Sequence, residues 1–285
     1  MNTKKYLVAG LMVSAFLFGC KKDRNTEIEV PVVPESNQFV TSLFDYVPAP
    51  GQFINMSFGT MEAAKGILKK EGLVSLGAWG GYIVLGFDHT VTNRKDLADI
   101  MIKGNAQSNF AEPGVVWVMK DDNKNGKPDD TWYEIAGSES GKTGYIRDYE
   151  VTYTKPTPAN GDVAWKDNKG NSGVVGINAS HTQSYYPDWI STSQYTLKGS
   201  LLPSTNVNMT NPGLIVSMPF TSGYADNQVT GDAIDISNAV DKDGKNVVLT
   251  GIDFIKIQTG IQANLKAVGE ISTEISSVSD LSLVK

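Results

Sequence analysis

Much is settled by what this sequence lacks. Of its 285 residues one is cysteine and two are histidine. A lone cysteine forms no disulfide within the chain, and neither a Cys-rich zinc site nor an iron–sulfur cluster has its ligands. A basic excess is missing as well. Lys and Arg number 25 against 31 Asp and Glu, a formal charge of −6, so the chain has no general electrostatic footprint for nucleic acid. Long helices alternating with strands are absent, which disfavours Rossmann and (β/α)8 architectures. No HExxH pair and no Gly-x-Ser-x-Gly elbow occurs, and no tandem repeat. What is present, 40% apolar and 20% charged residues, suits a packed core and not a disordered chain.

The single cysteine has a place. Lys4 and Lys5 make a positive start, residues 6–19 are apolar or small, and the run stops at Leu17-Phe18-Gly19-Cys20. Fourteen such residues suit a secretory leader better than a membrane-spanning helix. A small residue before Cys resembles a bacterial lipobox, in which cleavage exposes Cys20 for acylation. Each buried CH₂ of an acyl chain then contributes about 0.8 kcal/mol to anchoring. The competing reading is an ordinary signal peptide with an incidental Cys20. The predicted organisation is a lipoprotein signal peptide at 1–19, a flexible tether at 20–38 carrying Pro31 and Pro34, and one β-domain from 39 to 285.

Residues 60–70 (TMEAAKGILKK) are the one convincing helix. Thr60 can cap it, Glu62 and the pair Lys69-Lys70 suit its dipole, and Gly72 can stop it. After Gly72 come short runs rich in Val, Ile, Tyr and Trp, separated by Gly, Asn, Asp and Pro: LVSLG, YIVLGF, DIMIKG, GVVWVMK, TWYEIAG, EVTYTK, LIVSMPF, VVLTG, DFIKIQT and EISTEIS. About ten strands in one region predict an all-β fold, an antiparallel two-sheet β-sandwich of jelly-roll type. The stretch 156–212, rich in Asn, Ser, Thr and Pro, is expected to hold the long functional loops.

The sharpest motif is DDNKNGKPDD at 121–130. Counted from Asp121, side-chain oxygens fall at positions 1, 3, 5 and 9 (Asp121, Asn123, Asn125, Asp129), with Gly126 at 6 and the carbonyl of Lys127 at 7. That is calcium-loop spacing. Position 12 is Trp132, so Asp130 or Glu134 must supply the last carboxylate. The alternative is a solvated hairpin turn on Asn125-Gly126, a type I′ pair. Asp235, Asp241, Asp243 and Gly244 read as a turn, since too few acids are spaced for a metal. His89 and His181 are read as loop hydrogen-bonders. In ASHTQSYYPDW, His181, Gln183, Tyr185, Tyr186 and Trp189 combine flat rings with hydrogen-bonding groups, which suits a sugar or a planar cofactor. Equally, this loop can fold onto the sandwich with its rings in the core.

The blocks SLGAWGGYIVLGFDHTV, DIMIKGNA, EPGVVWVMKDDNKNGKPDDTWYEIAG, HTQSYYPDW, DISNAVDKDGKNVVLTGIDFIKIQTG and GEISTEISSVSDL resemble those of a family of Bacteroidetes-type cell-surface lipoproteins, some with PKD-like domains. The resemblance covers about residues 43–282. It implies an outer-membrane, outward-facing location and a β-sandwich, and no defined reaction. Some members sit beside TonB-dependent corrinoid-uptake systems. QANLKAV at 262–268 departs from the aromatic, Gly-containing segment expected there. The expectation is a non-enzymatic lipoprotein, with structural calcium, that captures a glycan or corrinoid-like ligand for a TonB-dependent transporter. A glycan-acting hydrolase and an adhesive module are the alternatives.

Overall fold

A period-two pattern of apolar side chains builds the central sheet. In the computed structural model, which describes residues 35–211 and 213–284, six antiparallel strands lie in the order Ser42–Val47, Tyr82–Thr92, Gly251–Thr259, Gly114–Met119, Tyr133–Ile135 and Ala239–Val240. Ile257 pairs with Ile83 on one side and Val116 on the other; Ile255 pairs with Leu85 and Val118. All six side chains are buried on one face. Lys256, between them, points to the other face, where its ammonium lies 4.5 Å from the Tyr82 ring centre and 5.0 Å from that of Trp117.

Against the apolar face packs a second antiparallel sheet, ordered Asp232–Ile234, Ile100–Lys103 and Ser277–Asp280. Ile234, Ile100, Ile102 and Val278 join the central sheet's residues in one hydrophobic cluster, closed at one side by Ala64 and Ile67. The chain is therefore all-β, an antiparallel β-sandwich with one short helix, as its strand–turn pattern predicts. The first described residues pair with the last strand. Val40 N–H donates to Val278 O (3.1 Å) and Asp280 N–H to Gln38 O (2.7 Å). From Ser36 onward the chain forms one compact unit. The signal peptide, Cys20 and most of the 20–38 tether lie outside the described residues.

Three expectations need correction. The helix is shorter than 60–70: it runs Met61–Gly66, with Thr60 Oγ1 accepting the Ala63 N–H at 3.1 Å. The chain leaves it well before Gly72, and Lys69 already has a left-handed φ of 62°. The run VVLTG at 247–251 reaches a strand only at Gly251, and Val248 is 90% exposed. Preceding it, Asp241 accepts the N–H of Asp243 and Lys245 and holds the turn predicted there.

Most of all, the stretch 156–212 is not simply loop. Val163–Asp167, Ser172–Val175 and Gln194–Leu201 join Ile146–Thr154 in a four-stranded antiparallel sheet around Trp79, Tyr149, Val151 and Tyr153. Its turns are built by the polar residues that suggested loops: Asp167 Oδ1 accepts the N–H of Lys169 and Asn171. The central sheet meets this one through Gln258, whose Nε2 donates to Gly80 O (2.8 Å) and Lys198 O (2.9 Å). Gly199 permits the approach, because a Cβ there would lie 1.8 Å from Gln258 Oε1. Among the described residues no helix is long and apolar enough to cross a membrane.

Candidate functional site

Residues 270–275 (EISTEI) are all buried, although only Glu274–Ile275 is regular strand. Ile271 and Ile275 enter two hydrophobic clusters. Extended backbone sends alternate side chains to opposite sides, so Glu270 and Glu274 share the other side and line one cavity.

There Glu274 meets Glu112, which lies just before Gly114–Met119, and Asp226, which precedes Asp232–Ile234. Their carboxylate oxygens lie within 4.8 Å of one another. Asp226 Oδ1 accepts the N–H of Asn105 and Ala106, and Oδ2 that of Glu274, each at 2.9 Å. Glu112 Oε1 accepts Ser272 N–H at 2.8 Å, and the Ser272 hydroxyl donates to Glu274 Oε1. Gly104 makes room: a Cβ there would lie 2.1 Å from Asp226 Oδ1. Burial pushes all three acids up, and the Glu274 charge raises Glu112 and Asp226 further. Among the described residues none of the three forms an ion pair with Lys, Arg or His.

Glu270 is 3% exposed. Its Oε1 accepts the Gln52 N–H at 2.7 Å, while Oε2 is buried without a hydrogen-bond partner. Burial, opposed by hydrogen bonds and reinforced by the Glu274 charge, pushes its carboxyl up to about 7.

The cavity over these acids measures about 340 Å³. Around the carboxyls it is lined by the amides of Gln52, Asn105, Gln107 and Asn178 and by the rings of Phe53, Phe110 and His181. Asn178 Nδ2 donates to Gln52 Oε1 at 2.6 Å and Asn178 Oδ1 accepts His181 N–H at 2.9 Å. The His181 ring lies edge-on to Phe53, 5.2 Å between centres, and its Nδ1 is buried without a partner. These groups can present donors and acceptors to a polar ligand while an aromatic wall covers its apolar face.

The five residues predicted as a ligand loop separate into four roles. His181 lines the cavity. Gln183 braces it from behind, Nε2 donating to Gln52 O at 2.7 Å. Tyr185 and Tyr186 are 0% and 1% exposed, packed in the core of the four-stranded sheet, their hydroxyls donating to His181 O (3.0 Å) and Thr192 O (2.8 Å). Their rings thus follow the core alternative. Trp189, 39% exposed, stacks on Tyr46 with centres 5.9 Å apart. His89 bridges Asp88 (2.8 Å) and Asp280 (3.0 Å).

The 121–130 loop joins Gly114–Met119 to Tyr133–Ile135. Asp121 accepts the N–H of Asn125 (3.1 Å) and Gly126 (2.8 Å). Asn123 Oδ1 accepts Asn125 N–H, Asn125 Oδ1 accepts Lys127 N–H, and both amide nitrogens donate to Asp129. Positive φ falls on Lys124 and Gly126, so Asn125-Gly126 is not a type I′ pair. Asp130 Oδ2 accepts Asp122 N–H at 3.1 Å and so belongs to the loop. Glu134 does not. Paired opposite Trp117, its side chain leaves the loop and accepts the hydroxyls of Tyr145 (2.6 Å) and Ser200 (2.5 Å). It is therefore removed from the predicted calcium shell.

Sequence reasoning passed over Glu112, Asp226, Glu270 and Glu274, four of 31 acids scattered along the chain. One signal was available: in GEISTEI the acids sit at i and i+4 of a strand-like alternation whose other positions are Ile, Thr and Ile. No protein-family model matches the chain, and no curated protein matches it.

Proposed function

We propose that this chain is a lipid-anchored outer-membrane surface protein that binds a polyhydroxylated, glycan-type ligand in the cavity at Glu270, without chemistry on it, for a TonB-dependent uptake system. The observation that carries the ligand class is the lining: planar amides and carboxyls, able to pair with neighbouring hydroxyls, beside the rings of Phe53, Phe110 and His181. A cavity of about 340 Å³ suits one or two sugar units. A corrinoid-like ligand would have to lie largely outside it. Location rests on the lipobox and the family resemblance. Replacing Cys20 with Ser is expected to move the protein from the membrane fraction to the soluble fraction, and retention would remove the anchor.

The loop at 121–130 belongs to the same proposal as a structural calcium site, supplied by Asp121, Asn123, Asn125, Asp129, Asp130 and the Lys127 carbonyl. Its support is the alternate spacing of hard oxygen ligands.

One observation favours a second reading, a glycan hydrolase: a buried carboxyl raised to about 7 can act as a general acid near neutrality. A calorimetric screen of the purified full chain against oligosaccharides and corrinoids, with product analysis of each mixture, separates the readings. Oligosaccharide binding without cleavage, weakened at least tenfold by Asn178→Ala, is expected. Cleavage abolished by Glu270→Gln replaces binding with hydrolysis. A corrinoid as the sole binder overturns the ligand class, and no binding of either sinks the proposal.

A further inference from the structure

Glu112 and Glu274 line the floor of the cavity and Asp226 meets them there, with no cationic partner among the described residues, and how their charge is balanced bears on what the site does. One solution is protons, retained by burial and mutual repulsion. The other is a cation.

Geometry speaks for the cation. Oxygens on opposite sides of a calcium ion, each about 2.4 Å from it, lie about 4.8 Å apart, and oxygens on adjacent positions about 3.4 Å. Ligand oxygens of Glu112, Asp226 and Glu274 all fall within 4.8 Å of one another. Asn105, at the rim, sets its side-chain amide 3.3 Å from Glu274 Oε2 and 3.3 Å from Asp226 Oδ1. Three mutually facing oxygens repel unless a positive centre lies among them. With its nitrogen inward the amide donates to both acids; with its oxygen inward it adds a fourth oxygen ligand to a cation.

Glu270 supplies an independent observation. It is 97% buried by accessible area, lines the same cavity as Glu112 and Glu274, and leaves Oε2 without a partner among the described residues. A buried carboxylate oxygen without a donor is costly, and a cation among the neighbouring acids would offset that cost. The donor set is all oxygen. It contains no sulfur, and carboxylate with amide carbonyl suits calcium or magnesium better than zinc or copper. Donors from four separate segments, without regular octahedral geometry imposed by any one element, favour calcium.

We propose that Glu112, Asp226, Glu274 and the side-chain oxygen of Asn105 form a calcium site on the floor of this cavity, distinct from the 121–130 loop. It stands independently of the glycan reading, because the metal alone is the probe.

The test is calorimetric titration of calcium into the EDTA-stripped full chain in detergent, with Asp121→Ala isolating the cavity site from the loop. In that background one calcium per chain is expected, and adding Glu112→Gln and Glu274→Gln should weaken it at least a hundredfold. The glutamines keep the shape and remove the charge, so their melting temperature in EDTA should equal or exceed that of the parent. Asn105→Ala, at an exposed position, should weaken calcium about tenfold and keeps the test decisive if the glutamine variant does not fold. An Asp121→Ala protein that binds no calcium overturns the site, as do cavity variants that bind with unchanged affinity.

Discussion

The backbone N–H of Gln52 donates to Glu270 Oε1 at 2.7 Å, tying a loop after the first strand to the closing segment 218 residues later. Gln52 makes more such links: Nε2 donates to Val268 O (2.9 Å), Oε1 accepts Asn178 Nδ2 (2.6 Å) and its carbonyl accepts Gln183 Nε2 (2.7 Å). One 7%-exposed residue therefore ties its own segment to those at 178–183 and 268–270.

Removing that side chain orphans its partners. Gln52→Ala is expected to lower stability by about 2 kcal/mol, since each buried polar group left without a partner costs about 1–3 kcal/mol and some will find water. Urea unfolding at neutral pH checks this, with an unchanged m-value showing that the fold survives.

The same glutamate makes stability depend on pH. Its folded pKa is raised to about 7 from an ordinary 4.5. Between these values the folded protein holds a proton that the unfolded chain has released. The associated stability is thus fully present below about pH 4.5 and is lost as pH rises through 7. The shift corresponds to about 3 kcal/mol as an order of magnitude. In EDTA, the stability difference between wild type and Glu270→Gln should move in the variant's favour from pH 5 to pH 8. A difference flat across that range would show that Glu270 titrates normally. Glu112, Asp226 and Glu274 tilt both proteins the same way, so only the difference reports on Glu270.

Gly104 is a packing test. A methyl there would press on Asp226 Oδ1 at 2.1 Å and on Glu274 O at 2.6 Å. Because its φ is ordinary, any loss reflects crowding and not backbone strain. Gly104→Ala should cost about 1–3 kcal/mol in urea unfolding and weaken calcium at the cavity site, while Gly170→Ala, in an open turn, should leave calcium unaffected.

For the 121–130 loop the expected signature is a melting temperature that EDTA lowers and Asp121→Ala makes less sensitive to EDTA. A ligand of the native state at 100 times its dissociation constant adds about 2.7 kcal/mol. In EDTA itself Asp121→Ala should still cost about 1 kcal/mol, because Gly126 loses its N–H acceptor and Asn125 one of its two. Scanning calorimetry of both proteins with and without chelator measures each part, and equal sensitivity to EDTA in both would leave the loop a turn.

Local physics made part of this protein legible in its sequence. Period-two runs such as YIVLGF and DFIKIQT became neighbouring strands because alternation matches the pleat, and Thr60 capped a helix because its hydroxyl reaches the Ala63 N–H. Asp121 and Asn125 organised a loop through bonds spanning a few residues. Tertiary structure alone decided the rest. Glu134 was one of two candidates for the last carboxylate of the calcium loop but left the loop, because the register opposite Trp117 turned it toward Ser200 and Tyr145. Tyr185 and Tyr186 read equally well as ligand-facing or core until the four-stranded sheet covered them. Of Glu112, Asp226, Glu270 and Glu274 only the last two leave a local trace, their i, i+4 spacing; strand pairing over long separations brings three of the four together, and burial sets the proton affinity of all four. Backbone periodicity and capping act within a few residues and are written along the chain; which acid meets which, and how dry the place is, depends on segments far apart along it.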